Sequence, residues 1–402
     1  MINSDGVIPA FDLLLGVEIR AARIEGLLRA DPVLAAQWRA EAAVAEAVAS
    51  VGLEDVRLAE ADLLVRIAEA RAGGTDAPAA EDALSILRFL RAPGDPDTAP
   101  EAVLERIARL ARRDGESGGE PLPTRELEVV FAGITGRAPV LEALRASALY
   151  AGLTGRLSPV AERMVFVAVE GAARRAGAGR AGGRQADDPL RGLGGRIAAD
   201  WIVLPALALG RGRFRAWSPG TARGARDLIE GVDLVLGQEI GRVISIRGWQ
   251  ADLARATEGR HGRSRLAEAG AAFGLEPVMT AGILAERLGV TSRGALNLIG
   301  ELERLGLVRE LTLRRAARIW ATPGLAAKLA GSRTTSHRSR ASLDADRPVE
   351  PLGETPAGQD LRQRHLKEEN EESVRRALAD FDAVLEEVDG ILARRGTDAS
   401  RR

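Results

Sequence analysis

The sequence predicts a mainly α-helical protein with one short β-hairpin in its last third. Three observations support this prediction. Apolar residues recur at helical spacing along most of the chain, no alternating strand pattern occurs before residue 300, and residues 307–322 contain two short strand-like runs around a basic turn. The 402 residues are 46% apolar and only 3% aromatic, so the core must be built from Leu, Ala, Val and Ile.

An acidic helical domain is predicted over residues 1–176, because residues 1–150 hold 25 acidic and 16 basic residues. Pro78 and Pro159 each stand in a first helical turn, where the missing N–H costs nothing. The apolar spacing predicts helices over residues 8–28, 32–70 (broken near Val51 and Gly52), from 76 past Leu90, 101–113, 138–151 and 159–176.

Residues 177–262 are predicted to hold a Gly- and Arg-rich loop followed by connecting helices. The loop is expected at 177–195 and the helices at 191–209 and 220–257. Residues 210–217 (GRGRFRAW) interleave arginine with two aromatic residues. Such a segment either packs its aromatic side chains onto the body or enters a DNA minor groove.

A separate domain is predicted over residues 263–330, where two helices follow each other closely. Thr280 can cap the first helix, and Gly289 ends it. Val290, Thr291 and Ser292 are expected to form a tight turn. Ser292 can cap the second helix, which Gly306 stops. The apolar residues expected to form the inner face of the second helix are Leu296, Ile299, Leu302 and Leu305. Two helices joined in this way are typical of a helix-turn-helix, whose second helix enters the DNA major groove.

The residues after this helix pair predict a basic hairpin, or wing. One strand is expected at 307–312, a tip at 314–317 and a returning strand at 318–322, with Trp320 in the core. The segment LAERLGVT…ALNLIGELERLGLVRE resembles the winged helix-turn-helix domains of many bacterial regulators. Residues 260–340 hold 14 Lys or Arg and 6 acids, a net charge of +8 that favours an anionic partner. A helix-turn-helix used only for protein contact is the alternative.

These positions give a set of candidate DNA-binding residues. Arg293 and Asn297 suit guanine and adenine edges, because each side chain can make paired hydrogen bonds to one base. Thr291 and Ser292 are expected at phosphates. The remaining candidates bind phosphate or reach the minor groove, and they are the wing residues Arg314, Arg315 and Arg318 and, as a weaker candidate, Arg287 on the first helix. The expected partner is double-stranded DNA.

The C-terminal residues predict a flexible linker and an amphipathic helix. Residues 331–360 are polar and rich in Ser, Thr and Pro, whereas residues 361–396 suit a helix. Within that helix, apolar residues recur with heptad spacing from Val374 to Leu392. The 374–392 helix is expected to pair between two chains in a homodimer, or to dock on its own body.

Several chemistries are excluded by composition. The chain has no Cys, and His261, His337 and His365 stand in no metal-ligand spacing, so we expect no metal, no cofactor and no enzyme activity. No apolar run reaches the length of a membrane helix, and the N-terminus lacks a signal-peptide pattern, which predicts a cytoplasmic protein with no membrane partner.

Residues 50–55 (SVGLED) are similar to the [ST]xxxE[GN] motif of Fic-family proteins, with Asp at the last position. Fic chemistry needs the motif HPFxxGNGRxxR, and residues 138–175, in the corresponding place, contain no His, Asn or Asp. The resemblance therefore implies a degenerate, inactive relative.

The whole chain is also similar to uncharacterised, often plasmid-borne alphaproteobacterial proteins that join a helical region to a C-terminal helix-turn-helix. The residues that carry this likeness are 46–67 and 280–322. It implies a DNA-binding regulator of transcription or of a plasmid. The alternative is a catalytically dead Fic-like protein or scaffold whose winged helix contacts other proteins.

Overall fold

The structure, a computed structural model, describes residues 4–69, 78–111, 124–155, 158–181, 199–210, 217–259, 264–276, 278–311, 318–327 and 329. All of them belong to one compact unit, residues 1–337. The predicted linker 331–360 and helix 361–396, and with them the proposed pairing through 374–392, lie outside the described residues. Among the helices that are described, none has both the length and the apolar character needed to cross a membrane.

The described residues are mainly helical and contain one small sheet, as the sequence predicts. The helices are α1 (Ser4–Ala30), α2 (Pro32–Gly52), α3 (Glu60–Glu69), α4 (Pro78–Arg91), α5 (Pro100–Ala111), α6 (Thr124–Leu127), α7 (Pro139–Thr154), α8 (Pro159–Ala181), α9 (Pro205–Gly210), α10 (Ala222–Thr257), α11 (Leu266–Leu275), α12 (Ala281–Leu288) and α13 (Ser292–Arg304). A 3-10 turn, Glu128–Phe131, follows α6. Strands β1 (Arg309–Glu310) and β2 (Trp320–Ala321) pair antiparallel.

Proline and short polar side chains decide where many helices begin. Six helices in the described ranges have proline as their first residue, at a position where no intrahelical N–H bond is lost; they are α2, α4, α5, α7, α8 and α9. The carboxylate of Asp31 accepts the N–H of Leu34 at 3.0 Å and caps α2. The hydroxyl of Ser158 does the same for α8, accepting the N–H of Ala161 at 3.2 Å.

Helices α1 to α10 form the part of the molecule that we call the body, and its core lies around α2 and α8. Helix α8 is buried on every side from Val160 to Arg174, and α7 packs along it. Trp38 on α2 and Trp201 are fully buried and in ring contact, with centroids 5.7 Å apart. Helix α10 crosses close to α9 because Gly231 has no side chain; a Cβ there would overlap the carbonyl oxygen of Ala208.

Two local predictions about the connecting region are wrong. Of the helix predicted at 191–209, the structure describes residues from 199 onward; there Pro205–Gly210 is helical and residues 199–204 are not. Leu204 precedes Pro205, and a residue before proline disfavours the helical conformation. Trp201 is held by a tertiary contact, because its indole N–H donates to the carbonyl of Leu90 at 2.8 Å. The loop predicted at 177–195 is wrong over its first residues, because α8 continues to Ala181; residues 182–195 lie outside the described ranges.

A second apolar cluster lies under α11, α12 and α13. It contains Leu266, Phe273, Leu284, Ile299 and Trp320, with Trp249 of α10 packed against it. We call residues Leu266–Ala321 the helix–hairpin unit. Its helices surround this small core of their own, while β2 and the residues after it reach into the core of the body.

Candidate nucleic-acid interface

Helices α12 and α13 are joined by the three residues Gly289–Thr291. The hydroxyl of Thr280 accepts the N–H of Ile283 at 3.2 Å and caps α12, as predicted. Gly289 ends α12 in the left-handed conformation, with φ +63°, which favours glycine. The tight turn between the helices therefore follows directly from the residues that stand there.

The residue that caps α13 differs from the prediction. The hydroxyl of Thr291, not that of Ser292, accepts the N–H of Gly294, at 3.1 Å. Thr291 has extended backbone angles (φ −69°, ψ 154°), which a cap residue requires, whereas Ser292 is already the first helical residue. The hydroxyl of Thr291 is thus engaged in the helix start, and the exposed hydroxyl of Ser292 stands free of that task.

The inner face of α13 is also shifted from the prediction. Ala295, Ile299 and Leu302 are buried, but Leu296 is 41% exposed and Leu305 is 37% exposed. Residues three apart on an α-helix are about 60° short of a full turn, so a run of three such steps moves halfway around the helix. The inner face follows the 3.6-residue period instead, and Leu296 lies outside it.

The outward face of α13 carries the predicted base-reading side chains. Ser292, Arg293, Leu296, Asn297 and Gly300 are all exposed. Arg293 and Asn297 are four residues apart and therefore neighbours on one face. Residues 292–300 contain no acidic residue; Glu301 and Glu303 follow on the last turn. The N-terminal half of α13 thus combines a cation, an amide and a hydroxyl.

The hairpin predicted after α13 is present. Glu310 is paired with Trp320 and Arg309 with Ala321, and the N–H of Leu311 donates to the carbonyl of Ile319 at 2.8 Å. Met279, just before α12, extends the pairing, since it exchanges two backbone hydrogen bonds of 2.9 Å with Trp320. The tip of the hairpin, with the predicted phosphate ligands Arg314 and Arg315, lies outside the described residues.

Arg318, the third predicted wing residue, is held by its neighbours. Its Nε donates to a carboxylate oxygen of Glu310 at 2.9 Å, and its guanidinium carbon lies 4.8 Å from the centre of the Trp320 ring. The hydrogen bond to Glu310 raises the pKa of Arg318 above its ordinary value. The side chain remains 42% exposed, but its charge is offset by Glu310.

Arg287, the weaker phosphate candidate, lies at the junction with the body. Its guanidinium is 4.0 Å from a carboxylate oxygen of Glu276, which is also 3.7 Å from Arg91 of α4. The side chain of Arg287 is only 17% exposed. Of the candidates on α12 and α13, it is therefore the one that the fold uses internally.

Other contacts fix the helix–hairpin unit to the body. The indole N–H of Trp249 on α10 donates to the carbonyl of Leu307 at 2.8 Å, and α11 of the unit packs against α2. Along β2 the side chains alternate, so that Ile319 and Ala321 join the body core while Trp320 joins the core of the unit. The unit packs on α2 and α10, and among the described residues none covers the outward face of α13.

The residues of the Fic-like motif meet a buried arginine. Arg163 on α8 is 0% exposed and donates to the hydroxyl and carbonyl of Ser50 and to Glu54, the last at 2.7 Å. Asp55 has φ +58°, the left-handed conformation for which the motif's usual Gly or Asn is suited. The motif positions thus serve a buried structural contact, beside a cavity of about 340 Å³ lined by Glu54, Asp82 and Ser85.

Buried acids of the body also have structural partners. Glu46 is fully buried and accepts the N–H groups of Ala206 and Leu207, at 2.8 and 2.9 Å, at the start of α9. Burial raises the pKa of Glu46 to about 7. Across the described ranges, no three His, Asp or Glu side chains come together in a way that would hold a metal ion.

Trp217, from the segment 210–217, packs onto the body rather than standing free. Its indole N–H donates to Glu162 of α8 at 2.7 Å, and its ring meets that of Phe166 edge-on. Residues 211–216, with the three arginines of that segment, lie outside the described ranges.

Comparison with known protein families and with curated proteins finds no match to this chain. The chemistry of the interface therefore rests on its own geometry. The exposure of Arg293 and Asn297 and the strand pair after α13 agree with the sequence, whereas DNA contact by these residues stays a prediction. The sequence did not indicate the exposure of Leu296 or the two acids, Glu276 and Glu310, that approach Arg287 and Arg318. The 3.6-residue period would have placed Leu296 outside, whereas no sequence signal marks the two acid partners.

Proposed function

We propose that this protein binds double-stranded DNA through a winged helix-turn-helix formed by the helix–hairpin unit, and that it acts as a regulator of transcription or of a plasmid. The observation that carries the proposal is the outward face of α13. Its N-terminal half is free of acids and exposes Arg293 and Asn297 one helical turn apart. This is the part of a recognition helix that contacts base edges.

Each exposed residue has a role in this proposal. Arg293 donates two hydrogen bonds to a guanine, and Asn297 pairs with an adenine, since these are the bases whose major-groove edges match the two side chains. Ser292 donates to a phosphate at the positive end of the α13 dipole. Arg314 and Arg315 hold phosphates or enter the minor groove from the hairpin.

The alternative is a scaffold, with or without a degenerate Fic-like body, that uses the helix–hairpin unit to contact protein. The exposed leucine in the middle of the α13 face does not decide between the two, because it can contact an apolar group of a protein or of a base. The basic residues of the hairpin and the absence of acids from the start of α13 favour DNA binding. Fic-type catalysis by α7 and α8 is disfavoured because residues 138–175 contain no His to act as the base of that motif.

The test is a fluorescence anisotropy titration of the full chain with duplex DNA, first of random sequence and then of a sequence selected from a random pool. We expect Arg293→Ala to reduce the preference for the selected sequence. Arg315→Ala should weaken binding to all sequences equally and reduce the slope of log affinity against log salt by about 1.

The matched control is Arg226→Ala, which removes the same charge from an exposed position on α10, outside the helix–hairpin unit. It should leave both affinity and preference unchanged. If the wild type binds no duplex even at low salt, or if all three variants lose affinity equally, the proposed interface is wrong.

A further inference from the structure

Leu296 stands at the centre of the α13 face that carries the proposed base contacts. It is 41% exposed, while its neighbour Ala295 is fully buried. The exposed residues Leu296, Asn297 and Gly300 lie three, four and seven residues after Arg293, which places all four on one side of the helix. A homeodomain helix reads the major groove with the same spacing.

The direction of the side chain places it among the polar residues. Side chains on a helix lean toward its N-terminus, so Leu296 covers the turn that carries Ser292 and Arg293. A helix that enters the groove by that turn takes Leu296 in with it. Gly300, one turn further on, has no side chain and leaves the flank of Leu296 open.

The major groove presents one apolar group that a leucine side chain can contact favourably. Base edges there present hydrogen-bond donors and acceptors, and the exception is the C5-methyl group of thymine. A leucine that covered only polar edges would remove their water and return no hydrogen bond, which is unfavourable. Against a thymine methyl it buries apolar surface on both sides.

We propose that Leu296 is a specificity-determining residue that contacts the methyl group of a thymine, next to a base pair read by Arg293 or Asn297. The proposal rests on the proposed function, since it assigns a further base contact to the same helix. It makes thymine, and not merely an A·T pair, the preferred base at one position of the site.

The test uses the full chain and the duplex that the wild type selects from a random pool. Each thymine of that duplex is replaced in turn by deoxyuridine, which removes the methyl group and leaves the hydrogen-bonding groups unchanged. We expect one replacement to weaken wild-type binding about fourfold, the value for one buried carbon group. The Leu296→Ala variant should bind the thymine and the uracil duplexes equally at that position.

The matched control is Leu305→Ala, because Leu305 is exposed to a similar degree (37%) and follows α13 at the opposite end. It should keep the wild-type response to uracil. Thermal unfolding followed by circular dichroism checks that both variants remain folded.

The outcomes separate the two proposals. If the wild type binds duplex DNA but no thymine responds to uracil, or if Leu296→Ala keeps the response, the inference about Leu296 is overturned while DNA binding stands. Binding without any preferred sequence overturns it as well. If the wild type binds no duplex at low salt, both the inference and the proposed function fail.

Discussion

Arginine has different surroundings in the helical body and on the helix–hairpin unit. In the body, Arg163 and Arg174 are 0% and 2% exposed. Arg163 pairs with Glu54 in the turn after α2, and Arg174 pairs with Glu170 of its own helix and Glu25 of α1. On α13, Arg293 is exposed in a stretch that contains no acid. The chain has 54 arginines among its 56 basic residues, so their number alone says nothing about which of them bind a partner. What indicates whether an arginine is available to a partner is the presence or absence of acidic side chains around it.

Arg287 and Arg318 lie between these extremes. Each belongs to the helix–hairpin unit, yet each approaches a carboxylate, that of Glu276 or of Glu310. A buried pair is costly to break because the remaining charge cannot return to water, whereas an exposed pair contributes little. Removing partners from the three classes of arginine should therefore produce effects of very different size.

The largest effect is expected in the body, for Arg174→Met. Arg174 lies between Glu170, which is fully buried, and Glu25 of α1, with its Nη1 2.8 Å from Glu25. Its loss leaves Glu170 uncompensated in the core and should lower the free energy of unfolding by about 3–5 kcal/mol, measured by urea denaturation. Arg226→Met, which removes an exposed cation paired with Glu230, should change it by less than about 1 kcal/mol. If the two variants are equally stable, the buried network contributes no more than a surface pair.

A buried acid without an arginine bonded to it should give the body a pH dependence of its own. Because the pKa of Glu46 is about 7 in the folded protein and near 4.5 when unfolded, its contribution is greatest below about pH 4.5 and is lost as the pH rises to about 7. The loss is on the order of 3 kcal/mol. We expect Glu46→Gln, which keeps one acceptor oxygen where Glu46 offers two, to become more stable relative to the wild type as the pH rises from 5 to 8. Urea denaturation at pH 5 and pH 8 measures the free energy of unfolding of both proteins. A difference between them that is the same at both pH values would contradict the prediction.

Much of the fold could be predicted from the sequence because local signals and tertiary packing agree there. The starts of α4 and α8 coincide with prolines that suit a first helical turn, and Gly289 stands where α12 must end. The stretch 199–204 misled the prediction because its apolar residues are buried without being helical. A buried non-helical segment and the buried face of a helix are both rich in apolar residues, so the sequence does not distinguish them.

The interface shows the same division. Arg293 and Asn297 could be placed from the turn before α13, which is a local signal. The pairing of Arg163 with Ser50 and Glu54 joins residues that are far apart in the chain, and Arg287 meets Glu276 of the preceding loop; no motif marks either pair. Leu296 was misplaced because a regular step of three residues imitates a helical stripe over one turn and drifts from it over three.

The smallest effect, and the one that sharpens the comparison most, is expected at Glu310. Glu310→Gln removes the charge that offsets Arg318 while keeping a side chain of the same shape. Because both side chains of the pair still reach solvent, the free energy of unfolding should change by less than about 1 kcal/mol. Arg318 is then free to bind a phosphate, so DNA affinity should rise severalfold and the salt slope should steepen by about 0.9. Arg318→Ala in the wild-type background should weaken binding less than Arg315→Ala does, since Arg318 is already engaged. An unchanged salt slope in Glu310→Gln would place the hairpin outside the DNA contact and leave α13 to bind alone.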